Sequence, residues 1–320
     1  MIRALTLVLA LAAFALPSGQ AAADTFVRIV SGPAGGSWYP LGAKMAEVLE
    51  KEVGGISTSN GPGGGVGNVK DVNKKEAEIG WSYGHTTFDG FSGKGAFDKP
   101  HPDVRHLATL YPAGLQTVVP ASSDIKSYTD LKDKNISPGK TKWSGYAAFK
   151  LVADKYGYTI DDVKQAGGTV HHVSYSDSVG LMKDGHIEAF TALTSVPQAS
   201  LLDLEFNPGV RFLPLDDAVL SDILSENPGY IRLEVTKEHY KSVETPVPTL
   251  GAVTNLVVHK DVPEDIVYQI TKALWDNHAE FAKVKAVWNS VKLENALLGA
   301  AVPVHPGAKR YYDEMGVAAK

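Results

Sequence analysis

Strand-like and helix-like segments alternate along almost the whole chain, and this alternation limits the possible folds more than any other feature. "TFVRIVSG" alternates into a glycine turn, and a helix pattern follows with Leu41, Met45, Val48 and Glu52 down one side and Leu49 beside it. "GISTSNG" reads as the next strand, "GGGVGNVKDVNKKE" as a glycine-led helix and "AEIGWS" as a third strand. The rhythm continues through "KNISPG", "YAAFKLVADKYG", "VHHVSY", "SVGLMKDG", "IEAFTAL", "VPQASLLDLE" and "VRFLPL". After Gly229 the chain becomes strand-rich. A long helix is then predicted, with Asp261 and Glu264 as a capping box around Pro263 and a stripe of Val267, Ile270, Leu274 and Phe281. Regular alternation predicts an α/β architecture with a parallel sheet. Such sheets bind ligands at the carboxyl ends of their strands, where helices begin.

Several of these junctions are rich in glycine. At Gly35-Gly36-Ser37-Trp38-Tyr39-Pro40, a helix start offers free N–H groups to an anion, and Trp38 and Tyr39 offer an apolar wall with polar edges. The competing reading is a tight turn with two core aromatics. The spacing Gly32-x-x-Gly35-Gly36 is not the dinucleotide fingerprint. In "NGPGGGVGN", Gly64 and Gly65 let the backbone approach a ligand closely, and Asn68 both donates and accepts; the alternative is a flexible loop. "KNISPGKTKWSGY" imitates a P-loop but has Lys134 where that motif needs glycine. It leaves a helix start with Lys140, Thr141, Lys142, Trp143 and Ser144, read either as ligand contact or as a solvated basic turn. Thr191 to Ser195 end a strand before a proline-started helix, so Thr191 and Thr194 are candidates at a fourth junction.

Catalytic motifs are thin. "GWSYG" at 80–84 fits the GxSxG elbow, and an exported serine hydrolase using Ser82 with Asp217 and His305 is the competing function. The alternative role for Ser82 and His85 is a further ligand-facing junction. The ten histidines include no HExxH, and His171-His172 lies in a strand pattern that sends the two rings to opposite faces. Neither a metal nor a cofactor is expected.

Composition sets the compartment and excludes further classes. "MIRALTLVLALAAFALPSGQAAA" has an early Arg3, an apolar run and a small-residue ending, the plan of a secretory leader cut after Ala23. The run is too short to span a bilayer. The expectation is therefore a soluble exported protein. With no cysteine, disulfides, thiolate catalysis and thiolate metal sites are excluded. A balance of 31 basic to 36 acidic residues argues against nucleic acid or an anionic membrane as partner.

Taken in order, these pieces resemble the TAXI-type substrate-binding proteins of tripartite ATP-independent periplasmic (TRAP) transporters. "GGSWYPLGAKMAEVLEK" is similar to that family's GG-T/S-Y/W-YP-x-G opening, and "GGGVGNV" to its GGS-x-x-N. "GWSYGHTTFDGFSGKGAF", "DGHIEAFTALTSVP" and "VPVHPGAKRYYDEMG" extend the resemblance along nearly the whole chain after the leader. It implies a two-lobed α/β periplasmic binding protein (type II, Venus-flytrap) fold. Residues 24–113 and 251–320 would form the first lobe, and the inserted 114–250 the second. It implies a monomer that captures a small carboxylate, such as glutamate or 2-oxoglutarate, and hands it to membrane subunits. One departure stands out: relatives have a Gly-Ser-Gly-Thr type loop opening the second lobe, whereas this chain has two lysines and a tryptophan at 140–143. Lysines facing the cleft would favour a strongly anionic ligand.

Overall fold

The computed structural model describes residues 25–227, 229–300 and 302–318; the expected leader at 1–23 lies outside them. The first strands and helices follow the junctions: β1 (Thr25–Val30), α1 (Trp38–Glu52), β2 (Ile56–Gly61), α2 (Gly65–Asn73), β3 (Ile79–Tyr83) and α3 (Gly84–Ser92). A 17-residue strand, β4 (Val104–Pro120), then leads to β5 (Ile136–Ser137), α4 (Ser144–Lys155), α5 (Ile160–Gln165), α6 (Tyr175–Lys183) and β6 (Ala189–Thr194). Next come α7 (Ala199–Phe206), β7 (Val210–Phe212), α8 (Asp217–Glu226), β8 (Tyr230–Val235) and the 13-residue β9 (Val247–His259). The chain closes with α9 (Glu264–Asp276), α10 (His278–Val284) and α11 (Pro306–Glu314). Among the described residues no helix is long and apolar enough to cross a membrane.

The strands form one continuous sheet in the order β2-β1-β3-β9-β4-β6-β5, with β7 beside β4 and β8 beside β9. It is mixed rather than parallel. β1 pairs in parallel with β2 and β3, and β5 does so with β6, but β9 and β4 run antiparallel to their neighbours. Local periodicity cannot reveal this, because direction depends on how the chain returns. β4 and β9 are the elements that carry the chain from one half to the other. Over Val104–Gly114, β4 pairs with β9, and from Gly114 to Val118 it pairs with β6. The exposed Pro112 sits at a register shift, where a missing N–H costs the ladder nothing. The result is a two-lobed α/β fold of the kind the resemblance implies, with a cleft across the middle of the sheet.

Three local expectations change. The predicted long helix is two, broken at Asn277, so Phe281 belongs to α10. The Asp261–Glu264 capping box is absent: Pro263 is the N-cap without a side-chain bond, Asp261 pairs with Lys75 at 2.6 Å, and Glu264 with Arg310 at 3.2 Å. "VHHVSY" makes a single bridge at Val170 to Ile136, and Tyr175 already opens α6. His171 and His172 instead turn to Thr169 and the Gly139 carbonyl, within 3.1 and 2.9 Å.

Candidate functional site

A cavity lies in the cleft at the carboxyl ends of β3 and β6, ringed by helix starts. Ser37 and Trp38 open α1, Gly64 and Gly65 open α2, and Tyr83 precedes α3. From the other lobe come Trp143, Ser144 and Gly145 at the start of α4, Tyr175 of α6, and Leu193 and Thr194 of β6; Pro33 and Gly36 complete the wall. The backbone N–H groups of a first helical turn have no partner inside the helix, so these starts present donors and positive dipole ends. None of α1, α2, α3 and α4 has a side-chain cap or an acidic residue in its first turn.

The two lobes touch directly around this cavity. Ser37 Oγ lies 3.0 Å from Thr194 Oγ1, Tyr83 donates to the Leu193 carbonyl at 2.9 Å, and the Gly67 N–H donates to the Lys142 carbonyl at 2.9 Å. Ser200 and Gln198 both donate to the Gly35 carbonyl, Ser200 at 3.0 Å. Glycine is required where the lobes meet. A Cβ on Gly64 would overlap the Trp143 ring, and one on Gly65 would overlap the Ser144 hydroxyl. At Gly35, φ is +80° and a Cβ would lie 2.6 Å from Ser176 Oγ, so geometry and space both demand glycine. The closed cavity has a free volume of about 20 Å³, room for roughly one water molecule.

A second, larger cavity of about 370 Å³ lies beyond the bond that Thr86 donates to Ser144 at 2.9 Å. It is lined by His85, Asp89, Thr141, Tyr146, Lys150 and Tyr230, among others. The His85 ring stacks on Tyr230 from the opposite lobe at 3.9 Å, with Tyr83 parallel to it at 5.9 Å. Since Thr86 gives its proton to Ser144, it accepts from His85 Nε2 at 2.9 Å; Nδ1 is buried without a partner. Burial pushes His85 down to about 3, keeping it neutral, and raises the Asp89 carboxyl. Burial also raises the phenols of Tyr83 and Tyr175, which remain neutral hydrogen-bond donors.

The structure brings Ser37, Trp38, Gly64, Gly65, Trp143, Ser144 and Thr194 to the inner cavity, and His85 and Thr141 to the outer one. Five expected site residues lie at neither. Tyr39 is one helical step past Trp38 and lies on an exposed flank beside Asn60. Asn68 is a brace: its Oδ1 accepts from the Gly64 N–H at 2.9 Å, while its Nδ2 donates to the carbonyls of Ser31 and Trp81, both at 2.7 Å. Thr191 is buried in β6, with its hydroxyl 2.8 Å from that of Thr117. Lys140 and Lys142 are exposed, with Lys140 Nζ lying 5.9 Å from the Trp143 ring centroid. Ser82 is fully buried within β3, not on a turn, and its hydroxyl reaches only the Gly65 carbonyl at 3.5 Å. Its nominated partners are engaged elsewhere: His305 caps α11, and Asp217 pairs with Arg232 at 2.7 Å on the surface. No nucleophile–base pair is assembled there.

Sequence reasoning missed Tyr175, Leu193 and Tyr83. The signal for Tyr175 was the Ser174-x-x-Asp177 capping box, which marks a helix start where a strand was read.

The family model described as "NMT1-like family" matches residues 29–316. Among solved structures, an ancestral arginine-binding protein bound to arginine is 16% identical, with 83% of this chain and 99% of that one covered and a TM-score of 0.49. The alkanesulfonate-binding protein SsuA from Xanthomonas axonopodis pv. citri, bound to MOPS, is 15% identical over 92% of this chain and 85% of its own, with a TM-score of 0.48. The substrate binding protein of an amino acid ABC transporter is 10% identical over 82% and 99%, with a TM-score of 0.46.

Proposed function

Because this chain belongs to the NMT1-like family, we propose from that premise that it is an exported solute-binding protein that captures a small organic anion between two lobes. The lobes are residues 24–113 with 251–320, and the inserted 114–250. The observation that carries this reading is the set of four uncapped, acid-free helix starts, α1 to α4, placed around one interlobar cavity with neutral hydroxyl, phenol and indole groups. An anion is the ligand that such an arrangement stabilises in the absence of a cationic side chain.

Binding works through closure. In the open form the donors of the two lobes are separated, and a ligand that bridges them favours the closed form by its preference for it. Candidate contacts are Ser37, Trp38, Gly64 and Gly65 on one side and Trp143, Ser144 and Thr194 on the other. The dicarboxylates, keto acids and acidic amino acids are the candidate ligands. The closed protein then delivers its cargo to the membrane subunits of a TRAP-type secondary transporter, as the motif resemblance implies, and performs no chemistry on it.

The test is a calorimetric and thermal-shift screen of organic acids on the purified protein. A micromolar ligand, about −8 kcal/mol, is the expected result. A screen in which no acid binds overturns the reading, and so does Ser82-dependent labelling by a serine-hydrolase probe.

A further inference from the structure

The inner cavity is uncharged. Among the described residues its wall holds no Asp, Glu, Lys, Arg or His. The phenols around it report the same: burial raises Tyr83, Tyr111 and Tyr175, and the remaining influences on them are tyrosines, Ser37, Trp38 and the Leu193 backbone, with no carboxylate or cation among them. Asp89 lines the outer cavity beyond the Thr86–Ser144 bond, and Asp177, in the first turn of the helix whose Tyr175 lines the inner cavity, is exposed and engaged by the Ser174 hydroxyl at 2.6 Å. Trp38, only 5% exposed, has a buried indole N–H that makes no well-formed hydrogen bond, with the Tyr111 hydroxyl as its neighbouring oxygen, and that group can only donate. Four helix starts add further donors and the same sign of potential.

We infer that the ligand is a carboxylate without an ammonium group, a 2-oxo or 2-hydroxy acid rather than an α-amino acid. The inference rests on the anion-capture reading and narrows it. An amino acid carries its ammonium one bond from the carbon that bears the carboxylate. Any pose that gives the carboxylate to the helix starts therefore drags the ammonium into the same closed space. There it meets positive dipole ends and no acid, and only neutral hydroxyls offset its desolvation. A keto or hydroxyl oxygen at that carbon has partners of the right kind, in the hydroxyls of Ser37, Ser144 and Thr194 and the phenol of Tyr83. A wall whose side-chain acceptors are neutral hydroxyls, with no carboxylate among them, sorts ligands by the group at carbon 2.

The experiment is isothermal titration at pH 7 with matched pairs: pyruvate and L-alanine, 4-methyl-2-oxopentanoate and L-leucine, phenylpyruvate and L-phenylalanine, 2-oxoglutarate and L-glutamate. For whichever skeleton binds best, the oxo acid is expected to bind at least about 30-fold more tightly than its amino partner. A smaller ratio, or an amino acid that binds better, overturns the inference and leaves anion capture standing. If neither member of any pair binds while another acid of the wider screen does, the inference falls and anion capture stands; if no acid binds, both fall. No variant is needed, so misfolding cannot obscure the outcome.

Discussion

The helix starts of this protein fall into two groups. Those of α1, α2, α3 and α4, which face the cleft, have neither an acidic residue in the first turn nor a side-chain cap. Every one of α5 to α11 has one or the other: Thr159 with Asp161 and Asp162, Ser174 with Asp177, Gln198, Asp217, Glu264 with Asp265, Glu280, and His305. A cap is ordinary local stabilisation of about 1 kcal/mol. Four neighbouring helices that forgo it border one cavity, although at α2 the Gly64 N–H is taken by Asn68 and the Gly67 N–H by the Lys142 carbonyl. α6 is the exception, since its Tyr175 also lines the cavity while Ser174 and Asp177 cap its start.

The comparison breaks most sharply if an acid is moved from one group to the other. Ser37→Asp supplies α1 with the carboxylate that the outer helices have, and it places that charge beside the expected ligand anion. Ligand affinity, read by calorimetry, is expected to fall by about 3 kcal/mol, roughly 100-fold; an unchanged affinity would show that the α1 start does not face the bound anion. Next in size is Gly64→Ala. Its methyl group would collide with Trp143 across the cleft, so closure is expected to cost about 2 kcal/mol, lowering affinity roughly 30-fold. Small-angle scattering with saturating ligand should show a larger radius of gyration than that of the unaltered protein.

The third prediction concerns pH and separates the two cavities. His85 is held at about 3 in the folded protein by burial, against an ordinary value of 6.5. Between those values the unfolded chain binds the extra proton, so the stabilisation is complete above about pH 6.5 and is lost as pH falls toward 3. At pH 5.5 the share of this loss due to His85 is about 1 kcal/mol, and His106, also held down by burial, adds its own. Denaturant titration at pH 7 and 5.5 should show this loss, and His85→Phe should reduce it. The inner cavity, with no titrating carboxylate, imidazole or amine in its described wall, contributes nothing in this range. The smallest effect belongs to the outer helices. Thr159→Ala removes one half of the α5 capping box and should cost about 1 kcal/mol of stability with no change in ligand affinity.

Much of the site was legible because it is local. Ser37, Trp38, Gly64, Gly65, Trp143 and Ser144 lie where a turn becomes a helix, and glycine or hydroxyl residues there announce the junction. The misses follow from side-chain direction. Tyr39 follows Trp38 by one residue and is carried about 100° round the helix, away from the cleft. Thr191 and Thr194 are three apart on a strand, so they face opposite sides, and only Thr194 reaches the cavity. Asn68 sits in the first turn of α2, yet it turns back to bind the carbonyls of Ser31, just past β1, and of Trp81 within β3, which lie beside it only in three dimensions.

The amino-acid sequence by itself determined most of the elements, the glycine junctions, the absence of cysteine chemistry and the lack of acids at the first turns of α1 to α4. These are properties of near neighbours along the chain, set by periodicity and residue type. Only the tertiary structure decided which junctions meet. The turns of β4 and β9 between lobes bring Trp143 onto Gly64 and Tyr230 onto His85, and they leave Lys140 and Lys142 outside the cavity. Such contacts depend on strand direction and register across long separations, and those are fixed by the packing of the whole sheet rather than by any local pattern.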